Sequence, residues 1–231
     1  MNNTNQTTSL AASILLGFAL IAAAIYFSNT PTSPTSPTLY VGAGGEQVAV
    51  TGAGSPKREE SPLRRIYGNL EAETTIVEFS DLECSFCARL HPTLKQVVDE
   101  SEGSVNWEYR HLPLTSHAGA RPAAIASECV GDLAGNDAFW SYLDVIFANQ
   151  RSLTPDFLEA EASQLGIDTE AYQSCLVSDE VAQRVDKDLA VAISLGGSGT
   201  PFNVVEFADG TTKVASGALP YANWAQIIGS N

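Results

Sequence analysis

The stretch from Thr74 to Arg110 restricts the fold more than any other part of the chain, because three different hydrophobic periods follow one another in it. Thr74 to Ser80 (Thr-Thr-Ile-Val-Glu-Phe-Ser) is β-rich and nearly continuous in apolar character, as a buried strand is. From Phe86 the apolar residues fall at 86, 90, 94, 97 and 98, the spacing of one helix face, and the helix is expected to run to about Ser101. Pro92 lies inside it and predicts a kink, since it removes one hydrogen bond and crowds the carbonyl of Ala88. Val105, Trp107 and Tyr109 then alternate with Asn106, Glu108 and Arg110, the pattern of a half-buried strand. Strand, helix, strand makes a βαβ unit with a parallel, right-handed crossover. The body is therefore α/β.

A helical block follows: an Ala-rich run at about 118–134, a run at 137–149 with Phe139, Trp140, Leu143, Ile146 and Phe147 on one face, then Pro155 to Leu165, about 169–177 and about 180–195. The third helix has Thr154 as N-cap, Pro155 at its first position and Gly166 beyond its end. Phe202 to Phe207, the turn Ala208-Asp209-Gly210 and Thr211 to Ser216 read as an antiparallel hairpin, and Pro220 to Ile228 as a closing helix. The order βαβ, helices, ββα describes a three-layer α/β body with an inserted helical subdomain at about 115–196.

Before the body, residues 1–9 form a polar tail and Leu10 to Phe27 an uncharged apolar run just long enough to span a bilayer. The run reads as one N-terminal transmembrane helix; the alternative is a secretory signal cleaved after Ala24. Both readings place the body outside the cytoplasm. Residues 28–61 are a Pro/Thr/Ser- and then Gly-rich linker, in which Tyr40-Val41 and Val48 to Val50 are short strand candidates read as more linker, and residues 62–231 are the folded domain. The chain carries 12 Lys+Arg against 27 Asp+Glu, a formal charge of -15, and so repels phosphate backbones: no nucleic-acid partner is expected.

The chemistry is carried by cysteines. Cys84 and Cys87, separated by Ser85-Phe86, are close enough to pair with each other, which leaves Cys129 and Cys175. Cys84 stands where the strand has ended and the helix begins, so unpaired N–H groups and the helix dipole favour its thiolate, while Cys87 lies one turn further in. One reactive sulfur and one resolving sulfur are what dithiol exchange needs. A lone CxxC is also half of a zinc site or an inert disulfide, but here it opens the helix of a βαβ unit and has no second CxxC. His91, one helical turn after Cys87, keeps open a soft-metal or Cu(I)-binding reading with Cys84 and Cys87; as a packing or surface residue it is read like His111 and His117. No resident metal or cofactor is expected. Cys129 and Cys175, on two helices of the insertion, read as a structural disulfide worth roughly 4 kcal/mol on the chain-entropy model.

The run from Ile76 to Cys87, the later Gly199-Thr200-Pro201 before a strand, and the helices between them resemble a membrane-anchored DsbA-like thiol-disulfide oxidoreductase of the thioredoxin fold. The resemblance covers about residues 62–231. It implies that Pro201 is a cis-proline facing the active disulfide, that Thr200 offers its backbone to an extended substrate beside Ser85 and Phe86, and that Glu78 is a buried carboxylate assisting proton transfer at Cys87. It also implies oxidation of exported proteins with free cysteines and reoxidation by a quinone-linked membrane partner. The same residues could serve a reductase or isomerase. Two departures bear on the potential: Ser85-Phe86 puts no imidazole beside Cys84, and Asp81 and Glu83 are expected to oppose its thiolate.

Overall fold

The computed structural model describes residues 38–41, 47–51 and 64–229, with side chains from residue 64 on. The tail 1–9, the apolar run 10–27 and the rest of the linker 28–61 lie outside the described residues. Among the described residues no helix is long and apolar enough to cross a membrane.

The βαβ unit is β4 (Thr74–Ser80), α1 (Ser85–Asp99) and β5 (Val105–His111), with β4 and β5 parallel and Glu78 opposite Tyr109. α1 runs unbroken through Pro92. Around this unit stand three further strands. β3 (Arg65–Gly68) pairs antiparallel with β5. β1 (Thr38–Val41) and β2 (Gln47–Thr51), read from sequence as linker, instead form an antiparallel pair that extends the sheet. These segments are too short to announce themselves by period, and they become strands because a neighbouring edge offers unpaired N–H and C=O groups. For β2 that edge is β7 (Thr212–Ser216), the second strand of the expected hairpin with β6 (Phe202–Phe207). The sheet order is β1-β2-β7-β6-β4-β5-β3, and the β4–β5 pair is the parallel one.

The insertion comprises α2 (Ala120–Ala134), α3 (Asn136–Ala148), a 3-10 turn (Gln150–Ser152), α4 (Pro155–Gln164), α5 (Thr169–Leu176) and α6 (Asp179–Ser194); α7 (Tyr221–Gly229) closes the body. Thr154 caps α4 by accepting from the Phe157 N–H at 3.3 Å, and Gly166 takes the positive φ that ends it. One sheet face packs Ile76, Trp107 and Tyr109 against α1, α3 and Trp224 of α7; the other packs Val77, Phe79 and Val204 against α6.

β5 departs from the half-buried pattern, because all seven of its residues are buried. Glu108 and Arg110 face α6 rather than water, with Arg110 Nε donating to Glu108 Oε1 at 2.8 Å and Arg110 Nη1 lying 3.3 Å from Asp188 Oδ1. A second buried ionic group joins β3 to the insertion. Arg65 Nη2 lies 2.9 Å from Glu128 Oε2 and 2.6 Å from Asp132 Oδ1, and His111 Nε2 approaches Glu128 Oε1 at 3.2 Å. Cys129 of α2 and Cys175 of α5 are joined as a disulfide, with Cα atoms 5.7 Å apart.

Candidate active site: a dithiol at the head of α1

The chain leaves β4 at Ser80 and turns through Asp81, whose carbonyl accepts the Cys84 N–H at 3.0 Å. Cys84 is the N-cap residue of α1 in extended conformation, with no side chain capping the helix. Both cysteines are free thiols; Cys84 keeps 6% of its surface exposed and Cys87 none. Phe86, between them, is 52% exposed, and Arg89 leans over its ring at 4.6 Å.

Three segments distant in sequence converge on this turn. The Thr200–Pro201 peptide bond is cis, and the Thr200 carbonyl stands 3.5 Å from Cys84 Sγ. Gln150, from the insertion, donates through Nε2 to the carbonyls of Leu82 and Cys84, both at 2.9 Å. The loop after β5 docks through Asp81 and Glu83: Leu114 N–H donates to Asp81 Oδ2 at 2.8 Å, His117 Nδ1 lies 2.9 Å from the same oxygen, and Gly119 N–H donates to Glu83 Oε2 at 2.6 Å. The expectation that these carboxylates oppose the thiolate therefore needs correction. Both are turned onto the loop, where N–H donors and an imidazole offset their charge.

The sulfurs are inequivalent. A hydrogen bond from Cys87 lowers the pKa of Cys84 to about 5, against desolvation and with help from Thr200 and the backbone N–H groups of Cys87 and Phe86. Burial, followed by that same hydrogen bond and the nearby Glu78, pushes Cys87 far upward. The Asp81 N–H donates to Cys87 Sγ at 3.5 Å. Glu78 is fully buried on the face of β4 that packs under α1, and burial raises its pKa to about 8. Ser80 Oγ, Trp107 Nε1 and Tyr109 OH share this interior, and like both carboxyl oxygens of Glu78 they are buried without a protein hydrogen-bond partner.

His91 is placed elsewhere than the metal reading requires. Its ring packs between Trp107 and Phe147, and its Nε2 is engaged by Asp144 Oδ1 at 2.7 Å. Among the described residues no group of three or more His, Cys, Asp or Glu side chains could hold a metal ion. His117 and Gln150, which the sequence reading left out of the site, do reach its first turn.

The sequence model described as Thioredoxin matches residues 60–211. Among solved structures, Pseudomonas aeruginosa DsbA2 is 31% identical with a TM-score of 0.63, covering 74% of this chain and 96% of that one. A thioredoxin-like oxidoreductase from Silicibacter pomeroyi DSS-3 is 25% identical with a TM-score of 0.64, covering 74% of this chain and 92% of that one. The chain is also 35% identical over 144 residues to a Na(+)/H(+) antiporter NhaA of Herminiimonas arsenicoxydans, covering 62% of this chain and 22% of the antiporter, so it spans about a fifth of the length of the curated relatives it matches. With its body matched over most of its length and its dithiol at the junction of β4 and α1, the chain belongs to the Thioredoxin family.

Proposed function

We propose that this protein works outside the cytoplasm as a dithiol oxidase, making disulfides in exported proteins. The observation that carries this reading is the inequality of the two sulfurs: a stabilised Cys84 thiolate favours the reduced form, and a dithiol whose reduced form is stabilised is an oxidant. The Cys129–Cys175 bond supports an oxidising compartment. In the reaction, a substrate thiolate attacks Cys84 Sγ of the Cys84–Cys87 disulfide. The S–S bond breaks, and the Cys87 sulfur leaves with the electron pair and takes a proton. Glu78, whose carboxyl pKa burial raises to about 8, would supply it. A second substrate thiolate then attacks the substrate sulfur of the mixed disulfide. Cys84 leaves as a thiolate, the substrate holds a new disulfide, and the enzyme has gained two electrons.

The exposed Phe86 ring and the Thr200 backbone beside Pro201 would seat an extended, partly unfolded polypeptide next to Cys84, with Ser85 between. The apolar run Leu10 to Phe27 would hold the body at the membrane, where a quinone-linked partner would remove the two electrons. The test is equilibration of the full chain with glutathione, following the Cys84–Cys87 pair by mass spectrometry. A potential near about -120 mV supports the oxidase; one near about -270 mV makes the protein a reductase. In Cys87→Ser the Cys84 thiolate should attack a disulfide already present in a substrate, release one substrate thiolate and stay joined to the other sulfur. That mixed disulfide should be seen on a non-reducing gel, because no Cys87 sulfur is there to displace it.

A further inference from the structure

Asp81 sits at the centre of the redox turn. Its N–H donates to Cys87 Sγ at 3.5 Å, its C=O accepts the Cys84 N–H at 3.0 Å, and its carboxylate takes the N–H groups of Glu83 (2.7 Å) and Leu114 (2.8 Å). The remaining partner of that buried carboxylate is His117 Nδ1 at 2.9 Å, on a side chain 29% exposed. A carboxylate only accepts, so this nitrogen carries the hydrogen. Arg89 lies over the Phe86 ring and Arg121 pairs with Asp186.

We propose that His117 is a positioning residue of the redox centre: lying on Asp81, it supplies from the insertion side the positive charge that Ser85-Phe86 does not offer, and holds the turn that touches both sulfurs. The groups that act on its ring are Asp81, Glu83 and Cys84, all acidic, and the hydrogen bond to Asp81 raises its pKa most. An imidazolium in that field stabilises the Cys84 thiolate, and by linkage the thiolate stabilises the imidazolium. Without it only the neutral N–H groups of Glu83 and Leu114 offset the buried negative charge of Asp81 near the thiolate. The inference rests on the redox reading of Cys84 and Cys87 above.

The test uses the full-length wild type, His117→Gln, Asp81→Asn and the double variant, with two measurements on each: the pH profile of Cys84 alkylation by iodoacetamide and the dithiol–disulfide equilibrium with glutathione. His117→Gln should move the alkylation midpoint upward by about one pH unit and shift the equilibrium about tenfold toward the disulfide. His117→Lys, which keeps a charge without the ring, should recover most of the shift in equilibrium. In the Asp81→Asn background, where no carboxylate holds the ring, His117→Gln should change little. A change below about twofold when His117→Gln is made in the wild type overturns the proposal, as does an equal change in the wild-type and Asp81→Asn backgrounds. A wild type that fails to exchange with glutathione at all sinks the redox reading itself, and the role of His117 falls with it.

Discussion

Glu78→Gln should make the protein more stable, and only on the alkaline side. Burial holds the Glu78 carboxyl protonated up to about 8 in the folded protein, whereas its ordinary value is 4.5. Between those values the native state binds a proton that the unfolded chain does not, so the contribution of Glu78 is complete below 4.5 and drains away as pH rises toward 8. At about 1.4 kcal/mol per pH unit, the loss accumulated by pH 7 is about 3 kcal/mol. The side chain is fully buried, so solvent screens little of it. Glutamine fills nearly the same volume, stays neutral throughout and does not incur this loss. Urea unfolding of oxidised wild type and variant at pH 4 and pH 7 should show the two level at the first and the variant ahead by up to about 3 kcal/mol at the second; oxidation removes the Cys84 thiolate, a lesser cause of the shift, so the figure is an upper end. A gain of the same size at both pH values would refute the proton account. On the mechanism proposed above, the variant should also form mixed disulfides more slowly, since the Cys87 sulfur would leave without a Glu78 proton.

Acid should act through a different carboxylate. Burial alone would raise Glu128, but hydrogen bonding and charge from His111 and Arg65 win and hold it at about 2, so its contribution is present above 4.5 and is lost as pH falls toward 2, by about 3 kcal/mol. Urea midpoints measured through that window should fall for the wild type and flatten in Glu128→Gln. Gly131→Ala should reverse the usual benefit of alanine in a helix, about 1 kcal/mol: a Cβ there runs into Arg65 Cζ, and that guanidinium is pinned by Glu128 and Asp132. A net loss of about 1–2 kcal/mol is expected from the overpacking, and a variant that melts above the wild type contradicts it.

The parts of this fold legible in the sequence are those whose periodicity is local. The change from near-continuous apolar residues at 74–80 to helical spacing after Phe86 gives β4 and α1 directly, and Asp209-Gly210 gives the hairpin. β3 escapes because four residues starting with Arg65 carry no period, and its arginine is buried only where Glu128 and Asp132 meet it. The polar residues of β5 were expected outward for the same reason: Glu108 and Arg110 read as solvent-facing until α6 brings Asp188 over them. At the site, the Cys84–Cys87 motif and Thr200-Pro201 were visible because they are contiguous signatures. Asp81 and Glu83 were visible too, but with the wrong consequence, since their partners Leu114, His117 and Gly119 arrive only through tertiary packing. Gln150 reaches the site the same way, with no mark in its own neighbourhood to betray it.

The pairing of β2 with β7 bears on how the protein behaves in a crowd. A sheet ending at β7 would present a strand of five residues, Thr212–Ser216, with unpaired N–H and C=O groups open to any extended chain. In the oxidase role proposed above, the protein would meet partly unfolded polypeptides, and such an edge would recruit them by backbone pairing far from Cys84. With β1 and β2 added, the two margins are strands of four residues, β1 on one side and β3 on the other. Short margins give little length for edge-to-edge growth. In the substrate-binding role proposed above, extended chain would then be left to pair beside Thr200 and Pro201, next to Cys84.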